Sequence, residues 1–341
     1  MTHTLRANYK KSECADDPYA EFSHSPVMDI SVIIVSWNAR RFLEECLGTL
    51  SAVRFSRAVE IIVVDNASTD GSPEMVEGQF PHVRLIRNGQ NLGFAKANNI
   101  GIRESTGRYV ALVNSDIKVL GNCLDPLADY LDEHPDVGNV GPRIRNRDMT
   151  LQSSCRKFPT VWNNFCDATG LYRAFKGSKF FSGEHMFFFL HDRILEVDVL
   201  VGCFWMVRRS TFESVGLLDE DFFMYAEDID WCRRCWGAGW RIVFSPAVEA
   251  IHYRAGSSAS DRARFAVEQQ RAVLQYWAKY HGRLAYSAIR GIMFCGRLVR
   301  YLLAEISRLL GPSSRRQDHS RSRVNAACIK VLMARNTTRK A

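Results

Sequence analysis

Asp65, Asp116, the pair Glu227-Asp228 and His252 are the side chains of this sequence whose types and surroundings could do chemistry. Asp65 directly follows the β-branched run Ile61-Ile62-Val63-Val64, and Asp116 closes Asn114-Ser115-Asp116 after the apolar run 109–113. Short continuous apolar runs read as strands buried on both faces, and open α/β sheets bind ligands just outside the C-terminal ends of such strands. Two acids delivered to one edge could therefore bind a polar ligand; helix capping is the competing account of each. Glu227 and Asp228 stand in the stretch 216–231, which sets six carboxylates among Phe222, Phe223, Tyr225 and Trp231. A carboxyl buried among aromatic rings has its pKa raised, which suits a general base, although acids that open a helix also complement its dipole. His252 precedes the loop Arg254-Ala255-Gly256-Ser257-Ser258. No glycine-rich phosphate loop is written in the chain, so Asp116 and His252 are candidate ligands to a divalent ion, Mg2+ or Mn2+.

Alternating elements must hold these groups. The pattern predicts strands at 29–35, 61–65, 83–86, 109–113 and 137–140, with helices at 40–50, 74–80, 95–105 and 124–133 between and after them. That alternation gives an α/β fold with a mostly parallel central sheet. Residues 143–193 mix aromatic and basic side chains without a period, and packing in a core or flap is their simplest account. Residues 196–208 read as one strand with Gly202 inside it, where a glycine marks close approach of a backbone or ligand. Short strands at 242–244 and near His252 precede a helix over 261–280. The turn after the first strand lacks G-x-G-x-x-G, which argues against nicotinamide or flavin binding.

Composition bounds the ends. Residues 1–27 carry no apolar period and no export-length hydrophobic run, so they read as a disordered leader of a cytoplasmic protein, and ten cysteines then read as reduced thiols. Cys232 and Cys235 are one helical turn apart with no second pair nearby, which suits packing better than zinc. The net charge of +8 is partly concentrated after Arg283 and suggests an anionic partner. No nucleic-acid reading motif accompanies it, which leaves an anionic membrane surface as the expected partner. Over 283–310, Ile292, Val299, Leu303, Ile306 and Leu310 share one helical face, while Arg283, Arg290 and Arg297 share the opposite one. Such a basic amphipathic helix either docks on the catalytic domain or lies in the inner face of a bacterial plasma membrane as a peripheral anchor. The expected division is 28–260 catalytic, 261–312 helical and 313–341 a basic flexible tail.

The ordered set SVIIVSWN, VVDNASTDGS, NLGFAKANN, LVNSD, VGCFWMVRR, GLLDEDFFMYAEDIDWCRR and IHYRAGSS resembles the family-2 glycosyltransferases of the GT-A fold, in particular the bacterial rhamnosyltransferase-type subgroup. The resemblance covers 29–258 and implies a nucleotide-sugar donor, with dTDP-rhamnose first, and a glycan or polyprenyl-linked glycolipid acceptor. It implies single displacement with inversion. The donor nucleotide would meet Val35, Ser36, Trp37, Asp65, Asn66, Lys96, Asn99, Asn114 and Ser115. Asp116 and His252 would serve the metal, Asp228 with Glu227 beside it would be the base, and Gly202 and Trp205 would shape an acceptor or sugar pocket, unless the bulky Trp205 merely packs. One departure is that the metal motif reads Asn114-Ser115-Asp116, with an amide where its first acid belongs.

Overall fold

The computed structural model describes residues 28–254, 262–310 and 316–334; the leader and most of the loop after His252 lie outside these ranges. The first half alternates β1 (Ile30–Ser36), α1 (Arg40–Ser51), β2 (Val59–Asp65), α2 (Ser72–Gln79), β3 (Arg84–Arg87), α3 (Phe94–Glu104), β4 (Tyr109–Asn114), β5 (Ile117–Val119), α4 (Leu124–Glu133) and β6 (Val137–Arg145). Then come β7 (Leu151–Gln152), β8 (Cys155–Arg156), α5 (Val161–Thr169), α6 (Leu171–Ala174), β9 (Leu195–Glu196), β10 (Val199–Leu200), β11 (Phe204–Arg208), α7 (Arg209–Val215), α8 (Glu227–Gly237) and β12 (Arg241–His252). Three helices follow among the described residues: α9 (Arg262–Tyr280), α10 (Arg283–Leu310) and α11 (Arg316–Met333).

The central sheet runs β3-β2-β1-β4-β11-β6-β12-β5. Its first four strands are parallel, as the apolar runs predict, but β11 enters antiparallel between β4 and β6, so the second half is mixed rather than parallel. That reversal matters for function: the start of β11 lies at the C-terminal edge of β4, where Asn114 N–H donates to Cys203 O at 3.0 Å. Successive strand residues face opposite sides. Val32 and Ile34 join α1 and α4 in one core, whereas Ile33 joins α3, α8 and α9 in the other. On α1 the buried positions Leu43, Cys46, Leu47 and Leu50 follow the helical period.

The single strand expected over 196–208 is broken. Gly202 lies in the turn between β10 and β11, and the strand expected at 242–244 is part of one long β12 that carries a bulge between Phe244 and Glu249. The acidic stretch 216–231 is divided by its partners. Asp219 and the fully buried Asp230 both bind Lys279 Nζ at 2.6 Å, and Asp230 also accepts from Tyr280 Oη at 2.7 Å and Arg234 Nε at 2.9 Å. These bonds tie α8 to α9. Glu220 is held by Asn99 and Arg103 at 3.0 Å.

The tail does not stay an open coil: residues 316–333 form α11, against α10 and α9. The arginines of α10 explain why. Arg290 donates to Leu332 O at 2.6 Å and Ala334 O at 2.7 Å, Arg297 to Asn325 Oδ1 at 3.3 Å, and Arg300 to Asp167 O at 2.9 Å and Ala168 O at 3.0 Å. Guanidinium groups that satisfy helix-end carbonyls turn inward, and the apolar stripe is left outside. Val299, Leu302, Leu303, Ile306 and Leu309 are all about half exposed or more, with Leu309 at 73%. No helix among the described residues is long and apolar enough to cross a membrane.

Candidate active site

A cleft of about 590 Å³ opens at the C-terminal edge of β1, β2 and β4. Its far side is walled by the turn before β11, the N-terminus of α8, and parts of α5, α9 and α10. Val35, Trp37, Asn66, Asn114 and Ser115 line the near end. Asn66 knits that end together, since its Nδ2 donates to Gly93 O at 3.1 Å and its Oδ1 accepts from Asn88 Nδ2 at 2.8 Å. Gly93 has φ of +86°, and a Cβ there would lie 2.4 Å from Phe223 O. Glycine thus lets the start of α3 reach the loop before α8, where Phe94 N–H donates to Phe223 O at 2.7 Å.

Asp116 sits in the tight turn between β4 and β5, and the antiparallel pairing of β12 with β5 sets His252 against Ile117 beside it. His252 Nε2 lies 3.2 Å from Asp116 Oδ1, and its Nδ1 lies 2.7 Å from Gln152 Oε1. Burial opposes a charge on His252, but the neighbouring Cys203 and Asp116 outweigh it and raise its pKa to about 10. Asn114 Oδ1 is buried there without a hydrogen-bond partner. No cluster of three or more His, Cys, Asp or Glu suited to a metal occurs among the described residues. Asp116, His252 and Asn114 Oδ1 nevertheless fit an ion that takes most of its ligands from substrate phosphates and water, as Mg2+ commonly does. His252 must shed its proton to join it.

Across the cleft, Tyr225 (φ +71°) and Ala226 (φ +63°) adopt left-handed conformations in succession just before α8. Such conformations cost non-glycine residues about 1–3 kcal/mol each and gather at functional sites. Here they present the first two residues of α8 to the cleft. Asp228 Oδ2 accepts from Gly202 N–H at 3.2 Å and Oδ1 from Ile229 N–H at 2.9 Å, an arrangement suited to an anion at a helix N-terminus. A Cβ on Gly202 would meet Asp228 Cβ at 3.4 Å, an ordinary contact, so what ties this residue to Asp228 is its backbone N–H rather than an approach that only glycine allows. Glu227 is different: burial, reinforced by the Asp228 charge, pushes its pKa well up, and its Oε2 has no partner. Asp228, whose two oxygens each accept a backbone N–H at the cleft, is the member of the pair placed to take a proton.

Other expected site residues lie off the cleft. Trp205 is 1% exposed, stacks on Trp231 at 5.3 Å between centroids, and donates through Nε1 to Val201 O at 3.1 Å. It supports the floor under Gly202 and forms no pocket wall, because its place on β11 faces the core of α8. Asn99 is consumed by Leu218, with Oδ1 accepting from N–H at 3.0 Å and Nδ2 donating to O at 2.8 Å. Lys96 is exposed on α3 away from the cleft. Ser36 and Asp65 are buried just behind the lining, and Ser36 Oγ and Asp65 Oδ1 both lack partners. Cys232 and Cys235 are buried thiols in the core. The structure adds residues that sequence reasoning missed: Arg156, Asn164, Asp167, Glu184 and His185, all from the segment without a period. Polar side chains scattered among aromatics were their one visible signal.

Residues 31–216, more than half of the chain, match the family described as Glycosyl transferase family 2. The chain belongs to that family. This glycosyltransferase, a nucleotide-sugar-dependent enzyme by its class, also resembles rhamnosyltransferases. The N-acetylglucosaminyl-diphospho-decaprenol L-rhamnosyltransferase of Mycobacterium tuberculosis (strain ATCC 25618 / H37Rv) is 30% identical over 271 residues, spanning 74% of this chain and 85% of that protein. A rhamnosyltransferase of Escherichia coli (strain K12) is 28% identical over 232 residues, covering 66% and 83% of the two chains. In fold, the glycosyltransferase is similar to a Pyrobaculum calidifontis mannosyltransferase solved with GDP-Man and Mn2+, with a TM-score of 0.52 and 19% identity over 92% of this chain and 89% of that one. It is also similar to GalNAc-T7, solved with UDP, GalNAc and Mn2+, at a TM-score of 0.52 and 16% identity, covering 67% of this chain and 43% of that chain. These neighbours support the GT-A-like assignment of the fold.

Proposed function

We propose that this glycosyltransferase moves rhamnose from dTDP-rhamnose to a sugar on a polyprenyl-linked acceptor, with inversion at the anomeric carbon. The observation that carries the reading is Asp228, an anion-suited carboxylate fixed by Gly202 across one cleft from Asp116 and His252. The names of the relatives from Mycobacterium tuberculosis and Escherichia coli support rhamnose as the sugar, and the first of them supports a diphospho-polyprenol acceptor.

Asp228 accepts the proton of the attacking acceptor hydroxyl as that oxygen bonds to the anomeric carbon and the bond to the nucleoside diphosphate breaks. Burial favours the uncharged form of Glu227 beside it, which limits the negative charge gathered at this wall of the cleft. Trp37, Val35 and Asn66 line the end proposed for the nucleotide, with Asp65 behind them, and Asn114 and Ser115 flank the diphosphate. Asp116, His252 and Asn114 Oδ1 would hold a divalent ion, and that ion would supply charge neutralisation on the departing diphosphate.

An acceptor on a lipid would be met at a membrane surface. The exposed stripe Val299, Leu302, Leu303, Ile306 and Leu309 on α10 supports peripheral docking, because Met293 and Arg297 of the same helix line the cleft. The deciding experiment offers the purified protein dTDP-rhamnose, UDP-hexoses and GDP-hexoses in turn, with and without a diphospholipid-linked sugar, and scores nucleoside diphosphate release. Acceptor-stimulated release from dTDP-rhamnose is expected. Turnover of a UDP- or GDP-sugar alone would replace rhamnose with another hexose, and nucleotide binding without release from any donor would make the protein a binding module.

A further inference from the structure

Beside Asp228 the cleft holds a second group of ionisable side chains that the transfer chemistry above does not use. Arg156, Asn164, Asp167 and Glu184 line it from β8, α5 and the loop before β9. They form a built site. Thr160 caps α5 by accepting from Asn163 N–H at 3.0 Å, and on the next turn-face Asn164 Nδ2 donates to Thr160 O and to Glu184 Oε1, both at 3.1 Å. Asp167 accepts from the backbone N–H of Glu184. Gly183 (φ +62°) permits that approach, since a Cβ there would fall 2.2 Å from Asp167 Oδ1. Despite these ties, Asp167 Oδ1 and Arg156 Nε are buried without hydrogen-bond partners.

Burial pushes Asp167 up to about 6 and Glu184 up to about 7, while burial with the Arg156 and Arg254 charges brings His185 down to about 4. Near neutral pH the group thus combines a neutral imidazole, carboxyls that shed and take protons easily, an amide and a guanidinium. Planar donors and acceptors of this kind pair with adjacent hydroxyls, whereas a cation would need carboxylates held charged. Phe265, Tyr225 and Met293 supply apolar wall for the C–H faces of a ring. Arg156, Asn164, Asp167 and Glu184 line the same cleft as the proposed base, and the Asp228 charge is among those felt by Glu184.

We propose that Arg156, Asn164, Asp167 and Glu184 form a subsite for a pyranose ring of the acceptor, orienting its reacting hydroxyl toward Asp228. The proposal rests on the glycosyltransferase reading and deepens it: the acceptor is recognised through sugar hydroxyls, by residues of the segment 156–184.

The test is saturation-transfer NMR and titration with octyl pyranosides of glucose, galactose, mannose, rhamnose and N-acetylglucosamine, on full-length protein saturated with dTDP. At least one octyl pyranoside binds the wild type, and its affinity falls about tenfold or more in Asp167→Asn and in Glu184→Gln. Both replacements keep side-chain shape, and their dTDP affinity is expected to stay at the wild-type value. In transfer assays the same loss appears in the acceptor KM more than in kcat, with and without a diphosphate on the acceptor. A wild type that binds no octyl pyranoside overturns the proposal, as do variants that bind it unchanged or a loss confined to diphosphate-bearing acceptors. Donor turnover by the wild type, measured separately, tells this failure from failure of the glycosyltransferase chemistry.

Discussion

Replacing Asp228 with Asn separates chemistry from structure at the N-terminus of α8. The carboxylate accepts from Gly202 N–H at 3.2 Å and from Ile229 N–H at 2.9 Å. Asn keeps one acceptor for Ile229 but turns its Nδ2 toward the Gly202 N–H, so one hydrogen bond is lost and a donor is left facing a donor. That costs about 1–3 kcal/mol. Spread over the unfolding entropy of a chain this size, the loss lowers the melting temperature by only about 1–4 °C. Turnover falls far more, by about 100-fold to 10,000-fold, because the general base is gone. Glu227 does not replace it, since burial, the larger cause of its raised pKa, remains after the Asp228 charge is removed. Nucleoside diphosphate release at saturating donor and acceptor measures turnover, and calorimetry with dTDP measures the donor site. Near-normal turnover would refute the assignment, and so would a fall in dTDP affinity equal to the fall in turnover.

Asp230→Asn, two residues further along α8, has the opposite profile: it weakens the bonds to Lys279, Tyr280 and Arg234, loses about 1–3 kcal/mol in denaturant unfolding, and spares turnover of the folded fraction. Asp132 gives a pH test. Burial opposes its charge, but hydrogen bonds from Tyr109, Arg108 and Arg57 outweigh it and lower its pKa to about 2, so its stabilisation is present above about pH 4 and is lost as pH falls toward 2. With its side chain a third exposed, Asp132→Asn is expected to cost only about 1 kcal/mol at pH 7 and nothing near pH 2, read from urea midpoints. Chelation with EDTA abolishes transfer, and Mg2+ or Mn2+ restores it; full activity in chelator would leave diphosphate stabilisation to basic side chains such as Arg254 and Arg264. The protein sediments with anionic vesicles at low salt, and Leu303→Glu with Ile306→Glu releases it. These point changes are preferable to truncation after Gly282, because α10 buries Ile289 and walls the cleft; a wild type that stays in the supernatant would end the membrane reading.

Ile61–Val64 and the run 109–113 announced their strands and the acids after them, because a strand covered on both faces has to be apolar at every position, and ligand-facing residues can begin only where it ends. The period of α10 was legible for the same kind of reason, but not the side it shows to the protein. Its arginines found helix-end carbonyls of Leu332, Ala334, Asp167 and Ala168, which lie far away in the chain, and the apolar face was left outside. The family resemblance set Asn99 at the donor and left Trp205 between pocket and packing; in the fold Leu218 claims the one and Trp231 the other. The insertion of β11 between β4 and β6 decided that Gly202 would hold Asp228 over the strand ends. Asn164, Asp167 and Glu184 carry no local pattern, since each is fixed by a residue from another part of a loop-rich segment. Local sequence settles what a strand or helix must bury; which polar groups meet across a cleft depends on strand order and helix docking, and those are set by contacts between residues remote in the chain.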